Sequence, residues 1–436
     1  MGEARASTER RATQTGIRAW WAHARTSLFW MPAIAFLLRL AYILAAHTYR
    51  FKPDENDFSF GYEMGRIGRA IALGRGFADP FGPPTGPTAW EPPLYPYLIA
   101  SVFRLSGIYT YASAFVLLAL NSLFSALTSI PIFLIARKSF GERVAVWSAW
   151  AWVLLPTVMY WCVRWVWETS LAALLLAVIF WLVLELEELD GASAWIAFGL
   201  LWGIAALTNT SLVSFLPPSA FWVWYRRRKQ GRKSLGGLAL AALFFWAAIA
   251  PWLVRNHQVF GTWVFIRSNF GAELRMGNGP GADGTWMFYL HPTQNQLSLR
   301  QYAQMGEMAY VRERKRQAVD FIRASYGRFA WLSVKRFVYY WAGRPRSSER
   351  AIWIDNSVFL ASSVLAFWGL ARALGRRKPA SWLFFWLLVS YPAIYYFVYP
   401  HSRYRHPIEP EMAILVAYVI SEAESRGALR GRENST

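Results

Sequence analysis

Apolar runs long enough to cross a bilayer alternate with short polar connections along most of this chain. The pattern predicts spans near residues 28–48, 112–136, 144–163, 169–186, 194–208, 212–225, 235–254, 352–370, 382–398 and 411–421. That is about ten spans, with boundaries soft by several residues. Two stretches break the alternation. Residues 49–110 are too polar and too rich in Gly and Pro to cross. Within them, 62–72 has apolar residues at helical spacing, the Gly and Pro positions from Gly74 to Pro87 force turns, and 94–105 predicts an interfacial helix with Tyr95 and Tyr97 at headgroup level. The second stretch, 255–351, carries a turn cluster at 277–284, a charged amphipathic helix over 298–324 and another over 327–341. A loop of that length is usually functional.

The fold class predicted is therefore an all-α polytopic membrane protein, with interfacial helices in the first outer loop and a long outer loop after the seventh span. Its expected organisation is a cytoplasmic basic tail (1–27) and a transmembrane module (28–254) whose first outer loop (49–110) is catalytic. An extracytoplasmic region (255–351), C-terminal transmembrane helices (352–421) and a cytoplasmic tail (422–436) follow.

Composition supports a membrane protein: 55% of the 436 residues are hydrophobic, and 25 Trp, 21 Tyr and 30 Phe are present. The formal net charge of +20 would suggest nucleic acid in a soluble protein. Here the basic residues cluster between apolar runs and no RNP-like or zinc-finger-like signature occurs, so no nucleic-acid partner is expected. With an inside N-terminus, alternation places Arg137-Lys138 with Arg143, Arg226–Lys229 with Arg232-Lys233, Arg372 with Arg376–Lys378, and the C-terminal tail all inside. Only 185–190 is an acidic inside loop. The expectation is a multi-pass protein of a bacterial inner membrane with both termini cytoplasmic. The basic N-terminus has no short apolar region with a cleavage site, so a first span is expected rather than a signal peptide. Cys162 is the single cysteine, which excludes an intramolecular disulfide and a Cys-based metal site.

Candidate chemistry concentrates on the outer side. Asp54, Glu55, Asp57 and Glu91 gather carboxylates in the first outer loop. Beside a membrane such groups face water, a cation or a substrate; a solvated acidic loop is the plain alternative. Arg39 lies mid-span and is either a site residue or a structural pair. Glu168 opens the fourth span beside Trp165 and Trp167, where it contacts sugar or simply complements the helix dipole. Arg164, Arg255, Arg267, Arg344, Arg403 and Arg405 face outward near spans, and forked guanidinium groups suit a phosphate. The run 399–407 is the densest, with His401 and His406 beside Arg403 and Arg405; its alternative is an interfacial anchor. His401 and His406 lie near Glu409 and Glu411 without HExxH-like spacing, so no metal site is assigned and a divalent cation is left open. No phosphate loop, serine elbow or Cys/His pair occurs.

The order of these features resembles the GT-C membrane glycosyltransferases: Arg39 in the first span, Asp54-Glu55, Gly74–Phe77, and Glu91–Pro96. The nearest branch holds protein O-mannosyltransferases and lipid A aminoarabinose transferases. Residues 251–256, Gly277-Asn278 and 403–407 resemble bacterial family 39-type members. The resemblance implies a polyprenyl-phosphate sugar donor, inverting transfer at the outer face, and a base in the first outer loop. Asp57 is the first candidate and Asp54 the second. Glu91 matches the acid before Pro-Pro in the aminoarabinose branch, where a lysine follows; this chain has Pro92. Glu168, Arg255, Arg403, Arg405, His406, Tyr95 and Arg39 are the expected substrate contacts. Lipid, glycan or protein is the acceptor. The whole reading expects Asp57, Glu91 and Arg405 to share one hollow. Its rivals are a transporter or flippase of a lipid-linked saccharide and a structural subunit of a polymer machine.

Overall fold

A computed structural model describes residues 25–82, 84–344 and 350–433; the expected basic tail at 1–27 lies almost wholly outside them, as does the last part of the C-terminal tail. The described residues are helical, with one isolated β-bridge between Ala78 and Pro87.

Helix α1 (Trp30–Ala45) buries Met31, Ala35, Arg39 and Ile43, four residues apart along one face. After a 3₁₀ turn (Phe58–Phe60) come α2 (Glu63–Ala72) and α3 (Leu94–Ser106), which pack on each other. These are the two short helices expected in the first outer loop. Thr110 and Ser113 form a capping box that opens α4 (Tyr111–Leu127), which runs on into α5 (Ser129–Phe140). Pro156 breaks the next passage into α6 (Glu142–Leu154) and α7 (Pro156–Arg164), bent by 46°. Then follow α8 (Thr169–Glu185), α9 (Ala192–Thr208), α10 (Leu216–Lys229) and α11 (Leu235–Phe260). Gly199 and Gly203, one turn apart on α9, leave no room for a Cβ against the Ala241 carbonyl and the Ala248 methyl of α11. Small residues at this spacing let two helices approach closely within a membrane.

The long connection holds α12 (Phe270–Gly277), α13 (Gln296–Met305), α14 (Glu307–Ala324) and α15 (Tyr326–Ala342). The single helix expected over 298–324 is two, because Gly306 adopts φ +74° and ends one before the other begins. The chain closes with α16 (Arg350–Gly375), α17 (Ser381–Ser390), α18 (Ala393–Phe397), a 3₁₀ turn (Ser402–Ile408) and α19 (Glu409–Glu433).

Among the described residues three helices are long and apolar enough to cross a membrane: Tyr111–Phe140, Leu235–Phe260 and Asn356–Gly375. The bent α6–α7 pair makes up to four, and Trp30–Ala45, Thr169–Glu185, Ala192–Thr208 and Ser381–Phe397 are apolar but shorter. Length and composition alone thus meet fewer spans than the ten the sequence pattern suggests. The basic connections gather at one end of the bundle. There Lys138 pairs with Glu185 at 3.3 Å, Arg226 with Glu187 at 2.9 Å, Arg227 with Asp190 at 2.5 Å, Arg372 with Glu422 at 3.3 Å, and Arg143 with Glu424. The acidic 185–190 loop is therefore the counter-charge of its basic neighbours.

Candidate active site

At the opposite end, an open cleft is formed by segments far apart in sequence. Phe58, Glu63 and Met64 come from the α1–α2 connection and α2, and Trp90 and Glu91 from the segment before α3. Trp167 and Glu168 come from the α7–α8 junction, and Asn209, Thr210 and Ser211 from the end of α9. Arg267, Asn269, Phe270, Glu273, Trp286 and His291 belong to the long connection; Tyr395, Tyr399, His401, Arg403 and Tyr404 follow α17. Indole and phenol rings beside carboxylates and amides suit the two faces of a sugar: apolar C–H above and below, hydroxyls around the edge.

Glu91 is the central carboxyl group. Pro92 and Pro93 end the loop and start α3, which fixes where Glu91 projects. Its Oε1 lies 3.3 Å from Nη2 of Arg267, whose Nε donates to the Trp90 carbonyl. Burial, with Glu63, Glu168 and Glu273 adding to it and Arg267 opposing, leaves the Glu91 carboxyl pushed up to about 8. Glu63 behaves oppositely. Burial would raise it, but His291 Nε2 at 3.1 Å, a backbone hydrogen bond and Arg66 together hold it below the usual carboxylate range. Glu168 accepts from Asn209 Nδ2 at 3.1 Å through Oε1, and its buried Oε2 has no hydrogen-bond partner among the described residues. The Arg403 guanidinium lies 3.6 Å from the centre of the Trp167 ring, and its buried Nη1 is likewise unpartnered. Burial, Arg403 and Arg344 push the His401 imidazole well below its ordinary range, so it is neutral. Tyr62 (φ +48°) and Ile266 (φ +60°) occupy backbone space that bulky side chains rarely adopt, and each directly precedes a cavity side chain. Among the described residues no three His, Cys, Asp or Glu side chains converge to hold a metal ion.

Of the residues expected from sequence as catalytic groups or substrate contacts, the cleft brings together Glu91, Glu168 and Arg403, with Arg267 and His401 from the outward candidates. The other expected catalytic and contact residues are placed elsewhere, each for a local reason. Asp57, expected as the base, spends Oδ1 on the Ser59 amide at 2.8 Å and Oδ2 on the Lys52 amide at 2.7 Å, capping the turn that seats Phe58. Asp54 is exposed and accepts from the amide and side chain of Asn56. Arg255, expected on phosphate, instead donates to the carbonyls of Thr88 at 2.7 Å and Phe77 at 2.9 Å, bracing the loop that leads to Glu91. Arg405 is buried against the Phe359 carbonyl, Ser363 and Glu409, and His406 bonds Glu409 and stacks on Trp152. Tyr95, expected at headgroup level, is fully buried and donates to Asn121 Oδ1 at 2.8 Å. Arg39 donates to the carbonyls of Ala35, Trp152 and Val153 and to Ser125. The expected hollow shared by Asp57, Glu91 and Arg405 is thus replaced by one built on Glu91, Glu168, Arg267 and Arg403. Glu63, Glu273 and His291 were not singled out in the sequence: each is a lone polar residue in an ordinary loop or helix start. Arg267 stood among the outward arginines without a partner to single it out.

Residues 90–254 match a family described as dolichyl-phosphate-mannose-protein mannosyltransferase. No curated protein matches the chain. Among solved structures, the apo oligosaccharyltransferase of Archaeoglobus fulgidus aligns with a TM-score of 0.55 and 14% identity, over 94% of this chain and 52% of that one. The same archaeal enzyme, AglB, in complex with an inhibitory peptide and a dolichol-phosphate, aligns at 0.53 with 14% identity and the same coverage. ArnT from Cupriavidus metallidurans bound to undecaprenyl phosphate aligns at 0.39 with 15% identity, over 90% of this chain and 78% of that one. The chain shares the fold of the archaeal oligosaccharyltransferase. The matched segment lies within that fold, and the chain spans about half the length of the oligosaccharyltransferase it matches.

Proposed function

We propose that this chain is an inverting membrane glycosyltransferase that moves a sugar from a polyprenyl-phosphate donor to an acceptor hydroxyl. The reaction takes place at the extracytoplasmic face of a bacterial inner membrane. The observation that carries this reading is the meeting of Glu91, Glu168, Arg267 and Arg403 in one aromatic-lined cleft at the bundle end away from the basic connections. The family description and the dolichol-phosphate in the AglB complex support a lipid-phosphate donor.

In this reading Arg403, with its unpartnered Nη1, takes the phosphate of the donor. Glu168 Oε2 accepts from a sugar hydroxyl. The acceptor oxygen attacks the anomeric carbon, the bond from that carbon to the phosphate oxygen breaks, and its electron pair leaves on the phosphate. The acceptor proton passes to the Glu91 carboxylate, a general-base role worth about two to four powers of ten. Arg267 stabilises the ionised form of Glu91 before attack. Glu91 thus takes the role that the resemblance assigned first to Asp57 and second to Asp54, residues of the same connection.

Purified protein incubated with a radiolabelled polyprenyl-phosphate sugar and envelope extract releases free carrier phosphate and labels an acceptor. Movement of intact labelled lipid between leaflets without release would instead make the protein a flippase.

A further inference from the structure

Glu307 opens α14 and does not line the cleft, yet two cleft-bearing segments meet on its carboxylate. Oε1 accepts from the Ala89 amide at 2.7 Å and from the Ser268 hydroxyl at 2.7 Å. Oε2 accepts from the Tyr302 hydroxyl at 2.7 Å and from the Thr88 hydroxyl. Thr88 and Ala89 lie just ahead of Glu91, and Ser268 directly follows Arg267. The Ser268 amide also donates to the Ala89 carbonyl at 2.8 Å. Neither segment has regular secondary structure, so no helix fixes its position. A carboxylate at a helix start commonly serves its own helix dipole. This one is 5% exposed and turns its oxygens on donors from three other segments. A buried carboxylate with every lone pair engaged is a rigid joint, because releasing any one donor leaves an unpaired group.

We propose that Glu307 is a positioning residue that holds Arg267 beside Glu91. This rests on the reading of Glu91 as the base. Arg267 is the cation that lowers the Glu91 carboxyl. Without the Glu307 joint the 267–268 segment is released, Glu91 loses that cation, and its titration moves upward. Arg403 stands apart from this network, so hold on the donor phosphate is unchanged.

Two measurements on the purified full chain test this. In Glu307→Ala, kcat falls on the order of 100-fold, the loss that a displacement of about 1 Å produces at reacting groups. The donor KM stays within about twofold, as expected when only transition-state interactions are lost. The acid limb of kcat/KM moves up by about one pH unit. Ser268→Ala, which removes a single arm, shifts the limb in the same direction by less. Glu307→Gln, which keeps an oxygen for Ala89 and Ser268, shifts it least. Infrared titration of the Glu91 carboxyl band, assigned with Glu91→Gln, reports the same upward shifts without needing turnover. If wild-type protein transfers no sugar but the band shifts, the glycosyltransferase reading fails and the joint stands. If transfer occurs and neither band nor limb moves in the folded variants, Ser268→Ala included, the joint is overturned.

Discussion

Glu91 carries the sharpest consequence at the scale of single residues. Burial and the neighbouring carboxylates push its carboxyl up to about 8, and the proposed general base works only when ionised. Activity therefore rises about tenfold per pH unit on the acid side and levels above about 8. A pH profile of kcat/KM checks this, and the limb disappears in Glu91→Gln, where transfer falls by about two to four powers of ten. Asp57 gives the contrast. Its oxygens cap backbone amides, so Asp57→Asn, which keeps one capping oxygen, costs about 1 kcal/mol of stability or less and leaves transfer within a few-fold. Loss of transfer in Asp57→Asn with full transfer in Glu91→Gln would exchange the two roles.

At the scale of elements, Arg39 illustrates how a charge within an apolar helix is satisfied. The α6–α7 break at Pro156 leaves the Trp152 and Val153 carbonyls without helical donors. Arg39 supplies both, at 3.0 and 3.2 Å, from the neighbouring α1. Arg39→Met orphans those carbonyls, each at about 1–3 kcal/mol. The expected result is a lower melting temperature in detergent, with the donor KM of the surviving folded fraction unchanged. A raised KM at normal stability would return Arg39 to the substrate. The same logic places Arg255 under the loop leading to Glu91: its guanidinium binds main-chain carbonyls, not a phosphate.

At the scale of the whole molecule, two ends of the bundle differ in chemistry. One collects the basic connections and their carboxylate partners; the other holds the cleft. The proposed orientation puts the basic end in the cytoplasm. Cys162 is fully buried, so the chain offers a near-silent background for labelling. A cysteine introduced as Arg300→Cys, exposed beyond the cleft end, reacts with an impermeant maleimide on intact cells. Gln230→Cys, exposed at the basic end, reacts only after permeabilisation. The reverse pattern would turn the protein over and remove the extracytoplasmic face from the proposal.

The helices at 63–72, 94–106, 192–208, 216–229 and 326–342 were legible in the sequence to within a few residues. A membrane helix satisfies its own backbone and presents apolar side chains around it, so local pattern is enough. Glu91, Glu168 and Arg403 were legible as polar groups at the cleft end. Their separation from Asp57, Arg255 and Arg405 was not. Arg403 and Arg405 sit two apart on a 3₁₀ turn of about three residues per turn and so point to different sides. Which side meets the cleft and which meets Phe359 and Glu409 is set by elements distant in the chain. Sequence alone determined a chain of apolar helices with its polar chemistry gathered in the connections between them. Only tertiary structure decided which charges face the hollow, because a guanidinium binds a main-chain carbonyl as readily as a ligand, and packing chooses between them.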